Sequence, residues 1–201
     1  MSRLLLVRHG ETILHSSRRF WGHTDVELSD EGINQVKRLR DYLSTQTINA
    51  AYSSTLKRAL LTAKTITARR QLQITACPEL IEISFGLIEG LTFDEIKEQH
   101  AELAEQMSAW KVLPAFPSGE SLAELDLRVK KFLPLLEKHA PNETILIVSH
   151  AGVLRTMLCN LLGLGLEHWR KLHIDLASLS IVDTYDGVAI LKRLNDTSYL
   201  E

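Results

Sequence analysis

Short apolar runs alternate along the chain with longer stretches in which apolar residues recur every three or four positions. Four of the runs have the length and branched composition of buried strands. They lie at 4–7, 48–52, 72–76 and 144–148. The tail adds two predicted strands at 178–184 and 188–193, and the Tyr-Asp-Gly sequence between them is typical of a hairpin turn.

The stretches with a helical period predict amphipathic helices, and most of them begin with a capping signal. Thr92 with Glu95 and Ser121 with Glu124 form capping-box patterns, and Ser29 is a favoured N-cap. The hydroxyl residues at 53–55 are expected to cap the second helix. Predicted helices cover 30–43, 56–69, a short segment that begins at 92, 101–110, 121–136 and 153–162. The segment 101–110 shows little core face, and Pro134 should kink or end its helix.

Strands that alternate with amphipathic helices predict a three-layer α/β/α sandwich, with helices on both faces of a mostly parallel sheet. The tail hairpin would give that sheet an antiparallel edge. We expect a single domain over 1–201, with a small helical cap insertion at about 91–118.

Composition and charge narrow the possible partners. The chain has 201 residues, 45% of them hydrophobic, and a formal net charge of −2, so no global attraction to nucleic acid or to an anionic membrane is expected. Cys77 and Cys159 lie outside any C-x-x-C pattern and are expected to be buried and inert. No signal-like segment precedes the first strand, and no apolar run approaches the ~20 residues of a membrane span. The predicted location is the cytoplasm.

Two predicted strands end in a histidine that is followed closely by glycine. Arg8 and His9 precede Gly10 after the first strand, and His150 follows the strand at 144–148. If the carboxyl ends of these parallel strands are neighbours, both histidines face one crevice together with Arg8 and Arg58. Arginine binds phosphoryl groups bidentately, and a neutral imidazole can attack phosphorus. The sequence therefore predicts a phosphate site.

No metal or cofactor is predicted at this site. The chain has no Walker-type glycine loop and no carboxylate cluster suited to Mg²⁺. A zinc site built from His9, His15, His23 and His150 is disfavoured, because their spacing is not that of zinc-ligand pairs.

Five motifs resemble those of the histidine phosphatase superfamily, also called the phosphoglycerate mutase-like family. They occur in the family's order and together span residues 4–155. The R-H-G motif lies in 8–12, the G-x-x-D-x-x-L-S-x-x-G segment in 22–32, the S-S-x-L-x-R-A helix in 53–63, the acid loop in 80–90 and the second histidine motif in 148–152. The resemblance implies a phosphoglycerate mutase-like fold and a phosphatase that needs no cofactor.

Carried onto these positions, the resemblance implies a phosphohistidine on His9, phosphate binding by Arg8, Arg58 and His150, and proton transfer by Glu82. The protonated Glu82 would give its proton to the leaving alkoxide, and its carboxylate would then take a proton from water. Burial favours the protonated carboxyl and the neighbouring arginines favour the ionised one, so both states stay open at this stage.

This chain departs from the family pattern beside the first motif. His15 stands where relatives commonly have asparagine, and Trp21 stands before Gly22 where they often have serine or glutamine. We expect His15, Trp21, Gly22 and Thr24 to line the substrate site. Altered affinity or specificity is the expected consequence.

The substrate is expected to be a small-molecule phosphate ester. The F-G-x-x-E-G sequence at 85–90 and the P-x-G-E-S sequence at 117–121 resemble α-ribazole phosphatases, which predicts α-ribazole 5'-phosphate and a role in cobalamin biosynthesis. The alternatives are a phosphoglycerate mutase-type phosphotransferase, a broad-specificity phosphatase and, from another class, a non-catalytic binder of phosphorylated ligands. Mutases of the family usually have a longer segment than 90–119, which favours hydrolysis. A monomer or a homodimer is expected.

Overall fold

The computed structural model describes residues 2–109 and 114–201. One sheet of six strands forms its centre. The strands are β1 (Ser2–Arg8), β2 (Ala50–Ser53), β3 (Ile74–Ala76), β4 (Thr144–Ser149), β5 (Leu179–Tyr185) and β6 (Val188–Asp196). Their spatial order is β3-β2-β4-β1-β5-β6.

The sheet is parallel on one side and antiparallel on the other. β2 pairs in parallel with β3 and β4, and β4 pairs in parallel with β1. β5 pairs antiparallel with β1 and with β6, so the tail forms the predicted hairpin. The register places Arg8 opposite Ser149, and the residues that follow these two strands are therefore neighbours. The predicted mostly parallel sheet with an antiparallel edge is confirmed.

Helices cover both faces of this sheet. They are α1 (Asp30–Tyr42), α2 (Lys57–Thr67), α3 (Phe93–Gln99), α4 (Ala101–Ser108), α5 (Leu122–Phe132) and α6 (Ala151–Leu162). Leu4 and Leu6 of β1 pack into a core that includes α5 and α6, whereas Leu5 and Val7 pack into a second core with α1 and α2. Successive strand residues point to opposite faces, so the two cores lie on opposite sides of the sheet. The predicted three-layer sandwich is confirmed.

The caps follow the sequence at three helices and differ at one. The Ser29 side chain accepts from the N–H of Gly32, and both predicted capping boxes are formed. The predicted hydroxyl cap of α2 is wrong, because its N-cap is Leu56, which makes no side-chain cap. Ser54 Oγ instead accepts hydrogen bonds from the N–H of Leu56 and from the ring of His150. The hydroxyl is used at the edge of the sheet rather than in the helix.

The burial of α4 differs from what the sequence predicted. This helix buries Leu103, Ala104 and Met107, so the prediction that it has little core face is wrong. Its predicted end at 110 and the start of the following connection at 113 lie outside the described residues. The limits of the predicted insertion and the single domain over 1–201 stay predictions.

Two smaller predictions are confirmed. α5 ends at Phe132, and a 3-10 helix, Leu133–Lys138, follows with Pro134 near its start. Cys77 and Cys159 are free and buried, and burial raises the pKa of both thiols, that of Cys77 to about 11.

Across the described residues, the helices are all too short or too polar to cross a membrane.

Candidate active site

A cavity of about 1030 Å³ opens where β1 and β4 end. Crevices at the carboxyl ends of parallel strands are common ligand sites in α/β folds. Its walls bring together residues from distant parts of the chain, including Arg8, His9, Arg58, Glu82, Arg155 and Trp169. The cavity therefore contains the predicted arginines, the predicted nucleophile and the predicted acid.

His9 is held in one tautomer at the end of β1. Its side chain is nearly buried, with 7% of the residue exposed, and Nδ1 lies 2.8 Å from the carbonyl oxygen of Gly10. A carbonyl only accepts, so Nδ1 carries the proton and Nε2 keeps its lone pair. Burial, reinforced by the charges of Arg58 and Arg8, holds the pKa of His9 well below its ordinary value of 6.5. The imidazole is neutral at pH 7 and able to act as a nucleophile.

The peptide of Gly10 is fixed from the neighbouring helices. Its N–H donates to Thr62 Oγ1 at 3.2 Å, and Thr62 Oγ1 donates to the carbonyl of Arg58 at 2.7 Å. A side chain at this glycine would place Cβ 2.6 Å from the carbonyl oxygen of Gly32, too close for any other residue without movement. Thr62 on α2 therefore fixes the peptide between His9 and Gly10. The next peptide, whose Gly10 carbonyl sets the His9 tautomer, is held by Gln35, because the N–H of Glu11 donates to Gln35 Oε1 at 3.0 Å.

His150 lies directly beside His9 and is fully buried. The two ring centroids are 5.0 Å apart, as the parallel register of β1 and β4 predicts. Nδ1 of His150 accepts from Nε of Arg58 at 3.3 Å, and Nε2 therefore donates to Ser54 Oγ at 2.8 Å. Burial is the main cause that lowers the pKa of His150, so this ring is also neutral. Both ring nitrogens contact protein, and direct phosphate binding by His150 stays a prediction.

Arg8 and Arg58 carry the positive charge beside His9. Arg58 donates from Nη1 to the carbonyl of Thr24 at 2.8 Å and from Nη2 to that of Gly22 at 2.7 Å. Arg8 donates from Nη1 to the carbonyl of Ile174 at 2.7 Å. Burial lowers the pKa of both guanidiniums, that of Arg8 to about 10, so both stay charged at pH 7. Their acceptors are carbonyls and a ring nitrogen, so within residues 2–109 and 114–201 the two charges have no ion-pair partner.

The predicted acid, Glu82, reaches the same cavity from the loop after β3. Its carboxylate accepts from the N–H of Ile83 at 2.9 Å and from the N–H of Gly152, in the first turn of α6, at 3.2 Å. Arg128 on α5 holds the loop by donating to the carbonyls of Ile81 and Glu82 at 2.6 and 3.2 Å. The carboxylate is thus fixed from two elements at the cavity wall.

The four residues expected to line the substrate site divide into two pairs. His15 and Trp21 line the cavity, and the indole N–H of Trp21 is buried without an acceptor among residues 2–109 and 114–201. Gly22 and Thr24 do not belong to the described walls, so this part of the prediction is corrected. Their carbonyls face Arg58, which they position.

The positioning role of Glu89 was not predicted from the sequence. Its carboxylate accepts from the N–H of Gly22 at 3.0 Å, from the N–H of His23 at 2.8 Å and from the hydroxyl of Thr24 at 2.8 Å. Glu89 therefore fixes the segment whose carbonyls hold Arg58. Its place in the F-G-x-x-E-G motif was visible, but the motif does not indicate which backbone groups it binds.

The sequence reading also missed Arg155, which lies on α6 one turn after Gly152. Nε donates to the carbonyl of Leu172 at 2.7 Å, and the guanidinium carbon lies 4.8 Å from the centre of the Trp169 ring. An arginine in the helix after a motif carries no signal of its own in the sequence, because only the fold directs it into the cavity.

Within the part of the chain that the structure describes, no group of three His, Cys, Asp or Glu side chains could hold a metal ion.

Comparison with known proteins agrees with this geometry. Residues 4–197 match the model of the histidine phosphatase superfamily, branch 1. Phosphoserine phosphatase 1 of Hydrogenobacter thermophilus is 35% identical over 100% of this chain and 95% of its own length. The adenosylcobalamin/alpha-ribazole phosphatase of Escherichia coli is 31% identical over 96% and 95%. The crystal structure of the alpha-ribazole phosphatase from Shigella flexneri superposes with a TM-score of 0.89 at 31% identity, covering 97% of this chain and 96% of that one. The chain is a phosphatase that belongs to the histidine phosphatase superfamily, branch 1.

Proposed function

We propose that this chain hydrolyses phosphate monoesters through a phosphohistidine on His9. One observation carries the proposal: a neutral imidazole with a free Nε2 lies beside the guanidiniums of Arg8 and Arg58, which have no ion-pair partner among the described residues. A phosphoryl dianion supplies the missing negative charge and the electrophile in one group.

The donor atoms support the same ligand. Nε of Arg8 is buried and has no acceptor in the described part of the chain. Leaving a buried donor unpaired costs about 1–3 kcal/mol, and a phosphoryl oxygen would remove that cost on binding. Arg58 has N–H groups beyond those that Gly22 and Thr24 receive, and these are available to a second phosphoryl oxygen.

The reaction then proceeds in two displacements. Nε2 of His9 attacks phosphorus in line, the bond to the leaving oxygen breaks, and Glu82 gives its proton to that oxygen. The guanidiniums of Arg8 and Arg58 stabilise charge on the equatorial oxygens. In the second step water attacks the phosphohistidine, the Glu82 carboxylate takes a proton from it, and the bond from Nε2 to phosphorus breaks. Inorganic phosphate leaves, and His9 and Glu82 return to their first states.

Two phosphate esters are candidates for the specific substrate. The motifs at 85–90 and 117–121 favour α-ribazole 5'-phosphate and hence cobalamin biosynthesis, as in the Escherichia coli relative. The Hydrogenobacter relative is named for phosphoserine. A mutase-type transfer is the alternative reaction, and it would appear as return of the phosphoryl group to an acceptor alcohol. The cytoplasmic location and the monomer or homodimer stay predictions from the sequence.

The direct test is hydrolysis of p-nitrophenyl phosphate in the presence of EDTA. We expect activity in the parent protein, none in His9→Gln, and parent-like activity in His100→Gln, a histidine at the junction of α3 and α4. Full activity of His9→Gln would contradict the proposal. A screen with α-ribazole phosphate, phosphoserine and the phosphoglycerates, scored by kcat/KM, then ranks the substrates.

A further inference from the structure

Besides Arg8 and Arg58, four arginines of the described ranges line the cavity: Arg18, Arg19, Arg155 and Arg170. Arg155 is the one on α6, the helix whose first turn holds the Glu82 carboxylate through Gly152. It lines the cavity wall together with Arg8 and Glu82. In the described part of the chain its hydrogen bond is the one from Nε to the carbonyl of Leu172, and its two terminal nitrogens are left to the cavity. Among the described residues no carboxylate forms an ion pair with this guanidinium, which makes it a candidate for binding an anionic group of the substrate.

The guanidinium of Arg155 is held in place before any ligand binds. Its Cζ lies over the ring of Trp169, and the indole N–H of Trp169 donates to the carbonyl of Gly152 at 3.1 Å and to Thr156 Oγ1 at 3.0 Å. Stacking on an aromatic ring and a fixed Nε leave the two Nη groups as a rigid fork. Such a fork matches the two oxygens of a planar carboxylate.

The position of Arg155 places it on the leaving-group side. Burial lowers the pKa of Arg155, and the charge of Glu82 opposes that effect. Gly152, which holds the Glu82 carboxylate, lies one helical turn before Arg155. The group that protonates the leaving oxygen must face that oxygen, so the alcohol portion of the ester lies toward Glu82 and Arg155.

We propose that Arg155 binds a carboxylate on the leaving alcohol, and that the preferred substrates are phosphate esters of hydroxy acids. This inference rests on the proposed function, because the leaving-group side is defined by attack from His9. It favours phosphoserine over the α-ribazole phosphate that the motifs at 85–90 and 117–121 indicate. Phosphoserine presents a carboxylate close to its ester oxygen, whereas the nucleoside-like portion of α-ribazole phosphate is uncharged.

The test compares two esters that differ in one group. O-phospho-L-serine and O-phosphoethanolamine share the amine and the phosphate, and only phosphoserine has the carboxylate. A charge-assisted pair of hydrogen bonds predicts that the parent protein prefers phosphoserine by about 10- to 100-fold in kcat/KM. Arg155→Met should bring this ratio close to one, and Arg155→Lys, which keeps the charge without the fork, should restore part of it. Arg69→Met removes an exposed arginine in the turn just after α2 and serves as the matched control.

The outcomes separate the inference from the proposed function. If p-nitrophenyl phosphate is not hydrolysed by the parent protein, the proposed function has failed. If it is hydrolysed and the ratio of the two amine esters is near one in the parent, or is the same in Arg155→Met, the carboxylate site is overturned. A higher kcat/KM for α-ribazole phosphate than for phosphoserine in the parent protein would overturn it as well. Because three of these results come from the parent protein alone, the test does not depend on how well the variants fold.

Discussion

The carboxylate of Glu89 and the guanidinium of Arg58 hold opposite sides of one backbone segment. Glu89 accepts the N–H groups of Gly22 and His23, and the carbonyls of Gly22 and Thr24 accept from Arg58. Both side chains thus hold the peptide between Gly22 and His23, and the position of a buried cation depends on an acid that forms no hydrogen bond with it.

Glu89→Gln tests this relationship. The amide keeps the volume but replaces one acceptor oxygen by a donor that faces backbone N–H groups, so the segment should shift and Arg58 with it. We expect weaker inhibition by orthovanadate and a higher KM, each by about 10-fold, with a smaller change in kcat. Inhibition assays measure this effect, and Glu98→Gln, an exposed acid on α3, is the control. Unchanged affinity for vanadate in Glu89→Gln would refute the positioning role.

Thr62→Val tests how the His9 tautomer is set. Without the hydroxyl, the N–H of Gly10 loses its acceptor, which costs about 1–3 kcal/mol and frees the His9–Gly10 peptide, which adjoins the carbonyl that receives Nδ1 of His9. We expect kcat to fall about 10-fold or more with KM little changed, and Thr62→Ser to recover most of the rate. A valine variant that loses stability but keeps the parent kcat would show that Thr62 is only structural.

Trp21→Phe tests the unpaired indole N–H in the cavity wall. The change keeps an aromatic ring and removes a buried donor that has no acceptor in the described structure. Removing such a donor should leave the melting temperature unchanged or raise it, while kcat/KM falls about 5- to 10-fold if substrate oxygen is the natural acceptor. Thermal melts and steady-state kinetics on one preparation separate the two effects. Parent-like kcat/KM would exclude a substrate contact.

Stability should fall at acid pH because two imidazoles are buried in the neutral form. Burial lowers the pKa of both His9 and His150, whereas in the unfolded chain each returns to about 6.5. Below that pH the unfolded state binds protons that the native state excludes, so the free energy of unfolding falls by up to about 1.4 kcal/mol per pH unit for each ring. Urea denaturation between about pH 7 and pH 5 measures this slope. His9→Gln should remove one ring's share, and an unchanged slope would contradict the assignment.

The sequence was sufficient where local chemistry decides the structure. The capping boxes at Thr92 and Ser121 formed because each needs only residues within one turn. The approach of His9 to His150 followed from two parallel strands that end alike. These features predicted the fold and the centre of the site without any long-range information beyond strand pairing.

The residues that the sequence did not reveal act at long range. Glu89 binds backbone N–H groups more than sixty positions away, and such groups are the same in every residue type. Gly22 and Thr24 were expected in the cavity wall, but tertiary packing turned their carbonyls toward Arg58. Arg155 lies in the cavity wall because of the direction in which α6 runs after His150. Periodicity identifies which face of a helix is apolar, but it does not identify which arginine on that helix meets an empty cavity.

Capture of the intermediate tests the central claim most directly. Parent protein is mixed with a radiolabelled phosphate ester, quenched in denaturant at alkaline pH during turnover, digested and mapped by mass spectrometry. We predict covalent phosphate that is stable in base, labile in acid and located on His9, and none in His9→Gln. Turnover of the parent protein without labelled His9, or the same label in His9→Gln, would contradict a phosphohistidine at this position.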